Sequence, residues 1–200
     1  MRCYFCNTPS QSRFCGGCDW QLQPSLRVLP GMANICLGMA LYSYTPVIKT
    51  VVHGIKFKSN MALGRLMQTR IHPTTVPTIF FETDGFVCVP SHWFRQLFRG
   101  RPHIPLVFQQ ALAKGTVLNG MLRRRKYTRK SAGLTRSQRF KRSSAQRFEW
   151  RGGANIQSVT LVDDVCTTGA TLTEVAKCLK ESGIHTIMAL VLAHQPIELA

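Results

Sequence analysis

The chain has 200 residues, 44% hydrophobic and 18% charged, which excludes wholesale disorder, a collagen-like repeat and a coiled coil, and leaves room for one domain with a real core plus a small appendage. With 26 Lys and Arg against 9 Asp and Glu, its formal charge is +17, a balance that suits a polyanionic partner. It has neither a long uninterrupted apolar run nor, in Met1-Arg2-Cys3-Tyr4, the start of a signal peptide, so we expect no membrane insertion, a cytoplasmic location, and eight cysteines that serve as metal ligands and core residues rather than disulfides.

In chain order, the first feature is Cys3-Tyr-Phe-Cys6, then eight residues, then Cys15-Gly-Gly-Cys18. Zinc is tetrahedral and favours thiolates, and two Cys-x-x-Cys turns each chelate it from one side. A segment this poor in apolar residues needs such a staple to fold. Residues 1–24 therefore read as a zinc-binding module with a closed structural site at Cys3, Cys6, Cys15 and Cys18. Residues 25–34, with Pro30 and Gly31 and with Pro24 just before them, read as a linker.

Ile35 to Tyr44 predicts a strand. Pro46 to Ile55 and Met61 to Ile71 have helical apolar spacing, with Pro46 in a first-turn position. His72 to Asp84 reads as a loop around Ile79-Phe80-Phe81. Gly85 to Val89 is a buried-strand candidate ended by Pro90. Leu106 to Ala113 predicts a helix. Ser158 to Val162 is a second buried strand, Ala170 to Ser182 an amphipathic helix ended by Gly183, and Thr186 to Leu192 a last apolar strand. The final forty residues thus form the βαβ unit of a parallel sheet, whose ligands sit at the carboxyl ends of the strands. Cys36, Cys88 and Cys178 lie in apolar runs and read as core residues.

The loop at those strand ends reads Val162-Asp-Asp-Val-Cys-Thr-Thr-Gly-Ala-Thr171. Backbone amides of Thr167, Thr168, Gly169, Ala170 and Thr171 can cradle a phosphate at a helix N-terminus. Asp163 and Asp164 can accept hydrogen bonds from vicinal ribose hydroxyls, directly or through hydrated Mg²⁺. Cys166 sits in the same loop and reads as a small side chain rather than a nucleophile, since no activating base is evident.

From Met121 to Arg151 there are 12 Lys and Arg and one acid, Glu149, with aromatics at Tyr127, Phe140, Phe148 and Trp150. The segment reads as a mobile loop with a short helix or as a basic hairpin. Cations neutralise phosphates and rings stack on unpaired bases, so single-stranded DNA is a suitable partner. The candidate contacts are Arg123, Arg124, Arg125, Lys126, Tyr127, Arg129 and Lys130. Closure over a pyrophosphate and a solvated charge run without a ligand are the other readings.

The stretch Val-Thr-Leu-Val-Asp-Asp-Val-Cys-Thr-Thr-Gly-Ala-Thr resembles the phosphoribosyl-pyrophosphate (PRPP) motif of type I phosphoribosyltransferases. Joined to an N-terminal four-cysteine module, the chain resembles the ComF family, competence proteins related to amidophosphoribosyltransferase. His53-Gly-Ile-Lys-Phe-Lys58 and Val89-Pro90 resemble weaker family elements. The resemblance implies an α/β fold of the type I phosphoribosyltransferase kind over residues 35–200, with a mostly parallel sheet, helices on both faces and a basic mobile segment at 121–151. It implies PRPP binding by Asp163, Asp164, Val165, Cys166, Thr167, Thr168, Gly169, Ala170 and Thr171, with Pro90 and Ser91 approaching the pyrophosphate. It also implies Mg²⁺ with PRPP, a role in DNA uptake during natural transformation, and other DNA-uptake proteins as partners. Two features depart from the family. Arg99-Gly-Arg-Pro-His103 replaces a glycine-containing stretch that ends in Phe-Asn-Gln, and Ser131 replaces a glutamine in a pattern otherwise kept at Arg124, Thr128 and Leu134. Both fall where an acceptor base would be met. A working phosphoribosyltransferase would use Asp163 and Asp164 as its catalytic acids, positioning the ribose through a ribosyl cation while Mg²⁺ aids pyrophosphate departure. A nucleic-acid-binding module with a vestigial PRPP site is the remaining alternative.

Overall fold

A computed structural model describes residues 1–90, 103–125 and 147–196. Its strands are β1 (Arg27–Val28), β2 (Leu37–Ser43), β3 (Phe86–Cys88), β4 (Leu122–Arg124), β5 (Phe148–Trp150), β6 (Ser158–Cys166) and β7 (Thr186–His194). Its α-helices are α1 (Gly16–Gln21), α2 (Pro46–Lys58), α3 (Met61–Arg70), α4 (His103–Phe108) and α5 (Ala170–Glu181). The main sheet has the order β1-β2-β7-β6-β3. β2, β7, β6 and β3 run parallel, and β1 is an antiparallel edge.

β6 and β7 are near-continuous apolar runs, as parallel strands covered on both faces must be. Side chains alternate across a strand, and here that alternation sorts the core into two layers. Met188, Leu190 and Leu192 of β7 face one cluster with α2, α3 and α4. Ile187, Ala189 and Val191 face the other, with Leu172, Val175, Ala176 and Leu179 of α5. Each of these larger aliphatic side chains contributes roughly 1.5–3 kcal/mol when fully buried. The result is the three-layer, mostly parallel α/β architecture expected from the sequence.

Local signals explain where the helices start. Thr45 Oγ1 accepts from the Ile48 amide at 3.3 Å, and Pro46 opens α2. Asn60 Oδ1 accepts from the amides of Ala62 and Leu63 at 3.1 and 3.2 Å at the start of α3. Both are side-chain caps that satisfy otherwise unpartnered first-turn donors. Gly183, at φ +92°, lets the chain reverse after α5.

Several expectations shift in detail. Within residues 25–34, Arg27–Val28 pairs with Met39 and Ala40 of β2. The helix expected over Leu106 to Ala113 is α4 followed by a separate 3-10 turn at Ala111–Lys114. The loop from His72 to Asp84 contains 3-10 turns at Pro73–Thr75 and Thr78–Phe81, with Phe80 fully buried. Cys36 is exposed rather than in the core. It precedes β2, where its thiol donates to the Ile187 carbonyl at 3.1 Å.

Candidate functional site

At the N-terminus, the Sγ atoms of Cys3, Cys6, Cys15 and Cys18 all lie within 4.8 Å of one another. The first Cys-x-x-Cys turn closes through Asn7, whose φ is +60° and whose amide donates to the Cys3 carbonyl at 3.0 Å. The second pair is fixed by α1, with Cys15 as its N-cap and Cys18 inside it. The Cys15 amide donates to Cys3 Sγ at 3.3 Å, which leads the interactions that bring the Cys3 thiol down to about 6. A hydrogen bond with the Thr8 side chain leads those that lower Cys6. Burial, reinforced by the neighbouring thiols, pushes Cys18 up. Two thiols shifted toward thiolate, gathered with a third whose ionisation burial opposes and with Cys15, form a donor set that a soft divalent cation would complete. The four residues could hold a metal ion and fit a structural zinc.

This module packs against the larger domain. Cys3, Cys18 and the fully buried Leu22 join the core cluster of α2 and α3. Arg70 Nη2 on α3 meets Asp19 Oδ1 at 2.5 Å, and the Tyr42 hydroxyl donates to the Leu22 carbonyl at 3.3 Å.

At the carboxyl end of the sheet, β6 carries Asp163, Asp164, Val165 and Cys166. Thr167 and Thr168 follow as exposed residues, then Gly169, Ala170 and Thr171 at the start of α5. Asp164 lies on the face of α2, where it lines a small cavity with Val52, Ile55 and Leu192. Its Oδ2 meets Lys56 Nζ at 2.6 Å, and its Oδ1 accepts from the Val165 amide at 2.7 Å. Strand alternation turns Asp163 to the opposite face, the side of Leu161, α5 and the β4–β5 pair. Asp163 Oδ1 accepts from the Asp164 amide at 2.8 Å. Burial and then the charge of Asp164 raise the Asp163 carboxyl to about 7, opposed by that hydrogen bond and by the cations Lys56 and Arg124.

Gly169 adopts φ +73° and ψ 1° as the N-cap of α5. This left-handed geometry disfavours any side chain, and a Cβ there would sit 2.5 Å from Met32 Sδ. Thr168 Oγ1 accepts from the Ala170 amide at 3.2 Å. Cys166 is buried, and burial followed by the charge of Asp163 raises its thiol. That is the reverse of an activated nucleophile.

β3 ends alongside this loop. Cys88 pairs with Val162, and the Val89 amide donates to the Val162 carbonyl at 2.8 Å. The chain therefore leaves the sheet at Pro90 near the level of the acids. Ser91 lies outside the described residues. Burial, with the charge of Asp163 behind it, pushes the Cys88 thiol up to about 12.

The two ends of the basic segment form an antiparallel pair, Leu122↔Trp150, Arg123↔Glu149 and Arg124↔Phe148. Of the two readings of this segment, the described ends match the stem of a hairpin. Leu122 and Phe148 anchor it in the core layer beneath α5. Arg124 lies over the Phe148 ring at 5.3 Å. Arg147 makes a two-pronged contact with Glu174 of α5, at 2.7 and 2.5 Å. Lys126, Tyr127, Arg129 and Lys130 lie outside the described residues.

Two contributors were missed by sequence reasoning. Lys56 falls within the His53 to Lys58 stretch singled out by resemblance, yet no spacing rule connects it to Asp164. Arg124 was read as a nucleic-acid contact, and the fold brings its charge within reach of Asp163 as well.

A mostly parallel α/β sheet with acids and a glycine-bearing turn at its carboxyl edge, carrying an N-terminal four-cysteine cluster, is the arrangement of a phosphoribosyltransferase-like domain with a metal-binding module. No family model matches the chain. A relative named Competence protein F, from Haemophilus influenzae, is 28% identical to it over 195 residues, spanning 87% of this chain and 81% of the relative. That similarity supports the ComF-family resemblance drawn from the sequence. Among the described residues no helix is long and apolar enough to cross a membrane.

Proposed function

We propose that this chain is a ComF-like competence protein acting in DNA uptake, with Mg²⁺ and PRPP at the loop after β6, single-stranded DNA on the basic hairpin, and zinc in the four-cysteine cluster. The competence role is supported by the relative that spans most of the chain. The PRPP reading is supported by one observation above others: two acids leave a parallel strand at the sheet's carboxyl edge and run into a turn whose Gly169 has a left-handed backbone.

In this reading the first amides of α5 and the hydroxyls of Thr167, Thr168 and Thr171 hold the 5-phosphate. Asp163, with its neighbour Asp164 already engaged by Lys56, accepts from the ribose hydroxyls. Mg²⁺ would shield the pyrophosphate near Pro90. The cations of the hairpin stem neutralise phosphates of a strand laid across it.

Calorimetric titration of the metal-loaded protein with PRPP and Mg²⁺ tests the reading. Saturable binding that disappears in Asp163→Asn/Asp164→Asn supports it and justifies a screen of base acceptors for pyrophosphate release, which separates a transferase from a binding protein. Absence of binding to the native chain would reduce the domain to a scaffold and leave DNA as its ligand.

A further inference from the structure

A second cationic feature lies apart from both the loop after β6 and the hairpin. Between the four-cysteine module and the α2–α3 corner is an open groove of about 360 Å³. Tyr4 lines it from the module, Lys49, Thr50, His53 and Lys58 from α2, and Asn60 from the start of α3. None of its lining residues is acidic. Lys49, His53 and Lys58 are exposed. Asn60 spends its carbonyl oxygen on capping α3, which leaves its amide nitrogen as the end that can donate.

The aromatic component is equally specific. Tyr4 is 48% exposed although it sits beside a buried cysteine ligand. Its ring packs edge-on against Phe5 at 5.1 Å and carries the Arg13 guanidinium 5.8 Å from its centre. Phe57, also 48% exposed, packs on the His53 ring at 4.7 Å. Exposed rings bordered by cations, without a carboxylate, are the combination that holds phosphate-linked unpaired bases: the rings stack and the lysines follow the phosphates. The volume is of ligand-site size, and the groove is open, so a chain can lie along it.

We propose that this groove is a second binding surface for single-stranded nucleic acid, with Tyr4 as a stacking platform and Lys49 and Lys58 as phosphate contacts. The inference takes its choice of ligand from the single-strand reading above, but its residues are independent of that reading's hairpin. A free nucleotide offers the same phosphate and base chemistry, and the test separates the two.

The experiment measures fluorescence anisotropy of a labelled twenty-residue oligothymidylate on the full chain, across a salt series. The native protein is compared with Lys49→Glu/Lys58→Glu, with Tyr4→Ala and, as a separate arm, with Arg123→Ala/Arg125→Ala. The expected result is an affinity loss of about tenfold or more in the lysine pair. Its log–log salt slope should also be shallower by roughly 1.4, two single-strand phosphate contacts. Tyr4→Ala should lose on the order of tenfold. Melting temperature and metal content show that these variants remain folded, and unchanged PRPP titration shows that the loop is untouched.

Native-like affinity and slope in the lysine pair overturn the groove as a strand surface. If the hairpin arm alone is impaired, only the groove fails and the hairpin reading stands. If the native protein binds no oligonucleotide, both fail. If thymidine monophosphate competes as strongly per molecule as the oligonucleotide, the occupant is a nucleotide and the strand proposal is overturned.

Discussion

Lys56 is the most informative single position in the loop region. Its ammonium lies 2.6 Å from Asp164 Oδ2, with side-chain exposures of 23% and 11%. Replacement by methionine keeps the stem's packing and removes the charge. Asp164 then stays almost buried beside Asp163 without that cation. Removing one partner of a fully buried pair costs about 3–5 kcal/mol. Partial solvent access at Lys56 reduces this, so we expect about 2–3 kcal/mol at pH 8. For a chain of this size, about 2–4 °C of melting temperature accompanies each kcal/mol, a drop of about 4–12 °C. The assay is thermal and urea denaturation of Lys56→Met, Asp164→Asn and the double variant. Because the damage comes from a carboxylate that has lost its ammonium partner, Asp164→Asn should rescue Lys56→Met, giving a coupling of about 2 kcal/mol in the double-mutant cycle. Additive effects in that cycle, or a Lys56→Met variant that melts within a degree of the native protein, would refute the reasoning.

Asp163→Asn tests the other acid. Its carboxyl is raised to about 7, so the ionised form is the disfavoured one in the fold. The associated stability is present below the ordinary aspartate range and is lost as pH rises through about 7. The amide variant keeps an oxygen for the Asp164 amide, so it should match the native protein near pH 4 and exceed it on the order of 2–4 kcal/mol above pH 8, read from urea midpoints; equal midpoints at pH 8 would contradict the burial argument. Metal analysis should find about one zinc per chain. Cys18→Ser should lose the ion and lower the melting temperature, because Cys18 and Leu22 belong to the α2–α3 core, and a metal-free native protein of unchanged stability would count against a structural site. Gly169→Ala forces a side chain into φ +73°, costing about 1–2 kcal/mol. It should weaken PRPP binding at least tenfold in calorimetry while leaving oligonucleotide affinity intact, and native-like PRPP binding would remove Gly169 from the phosphate reading. Arg147→Ala breaks a partly exposed pair with Glu174, so its stability cost should stay near or below about 1 kcal/mol; a larger loss in denaturant titration would mean the hairpin depends on that clasp.

The parts of the fold that were legible share one property: their signal is local. Val159 to Val162 is a short buried run that ends in two acids, so both the strand and its exit could be read in one window. Two Cys-x-x-Cys pairs announce convergence because chelation fixes the spacing of their donors. The helices that start at Pro46 and Met61 show in their apolar spacing and, for the first, in a first-turn proline. What was not legible is either too short or too distant. A two-residue edge strand such as Arg27–Val28 has no period to detect and exists because β2 offers it a partner. Leu122 and Phe148 anchor one hairpin stem from opposite ends of a basic run, which hides two core residues among cations. Cys36 sits in an apolar run, yet its position just before β2 leaves it exposed.

The same distinction explains how a pair of adjacent acids persists in a chain this basic. The net charge does not neutralise them, since charges more than about 8–10 Å away are screened at ordinary ionic strength. Compensation has to be local, and the strand's two-residue period decides where it comes from. Asp164 points to the helical layer and is met by Lys56 of α2. Asp163 points the other way, yet the cations that oppose its raised carboxyl are Lys56 first and then Arg124 of the hairpin stem. Asp163 thus draws on both layers packed on the sheet. Neither cation can be assigned to Asp163 from sequence distance, because 107 residues separate it from Lys56 and 39 separate it from Arg124. The electrostatic character of the loop is therefore a product of the assembled three-layer fold. A change that loosens the hairpin stem or α2 should alter the acids without touching them, and the Lys56 cycle measures one half of that dependence directly.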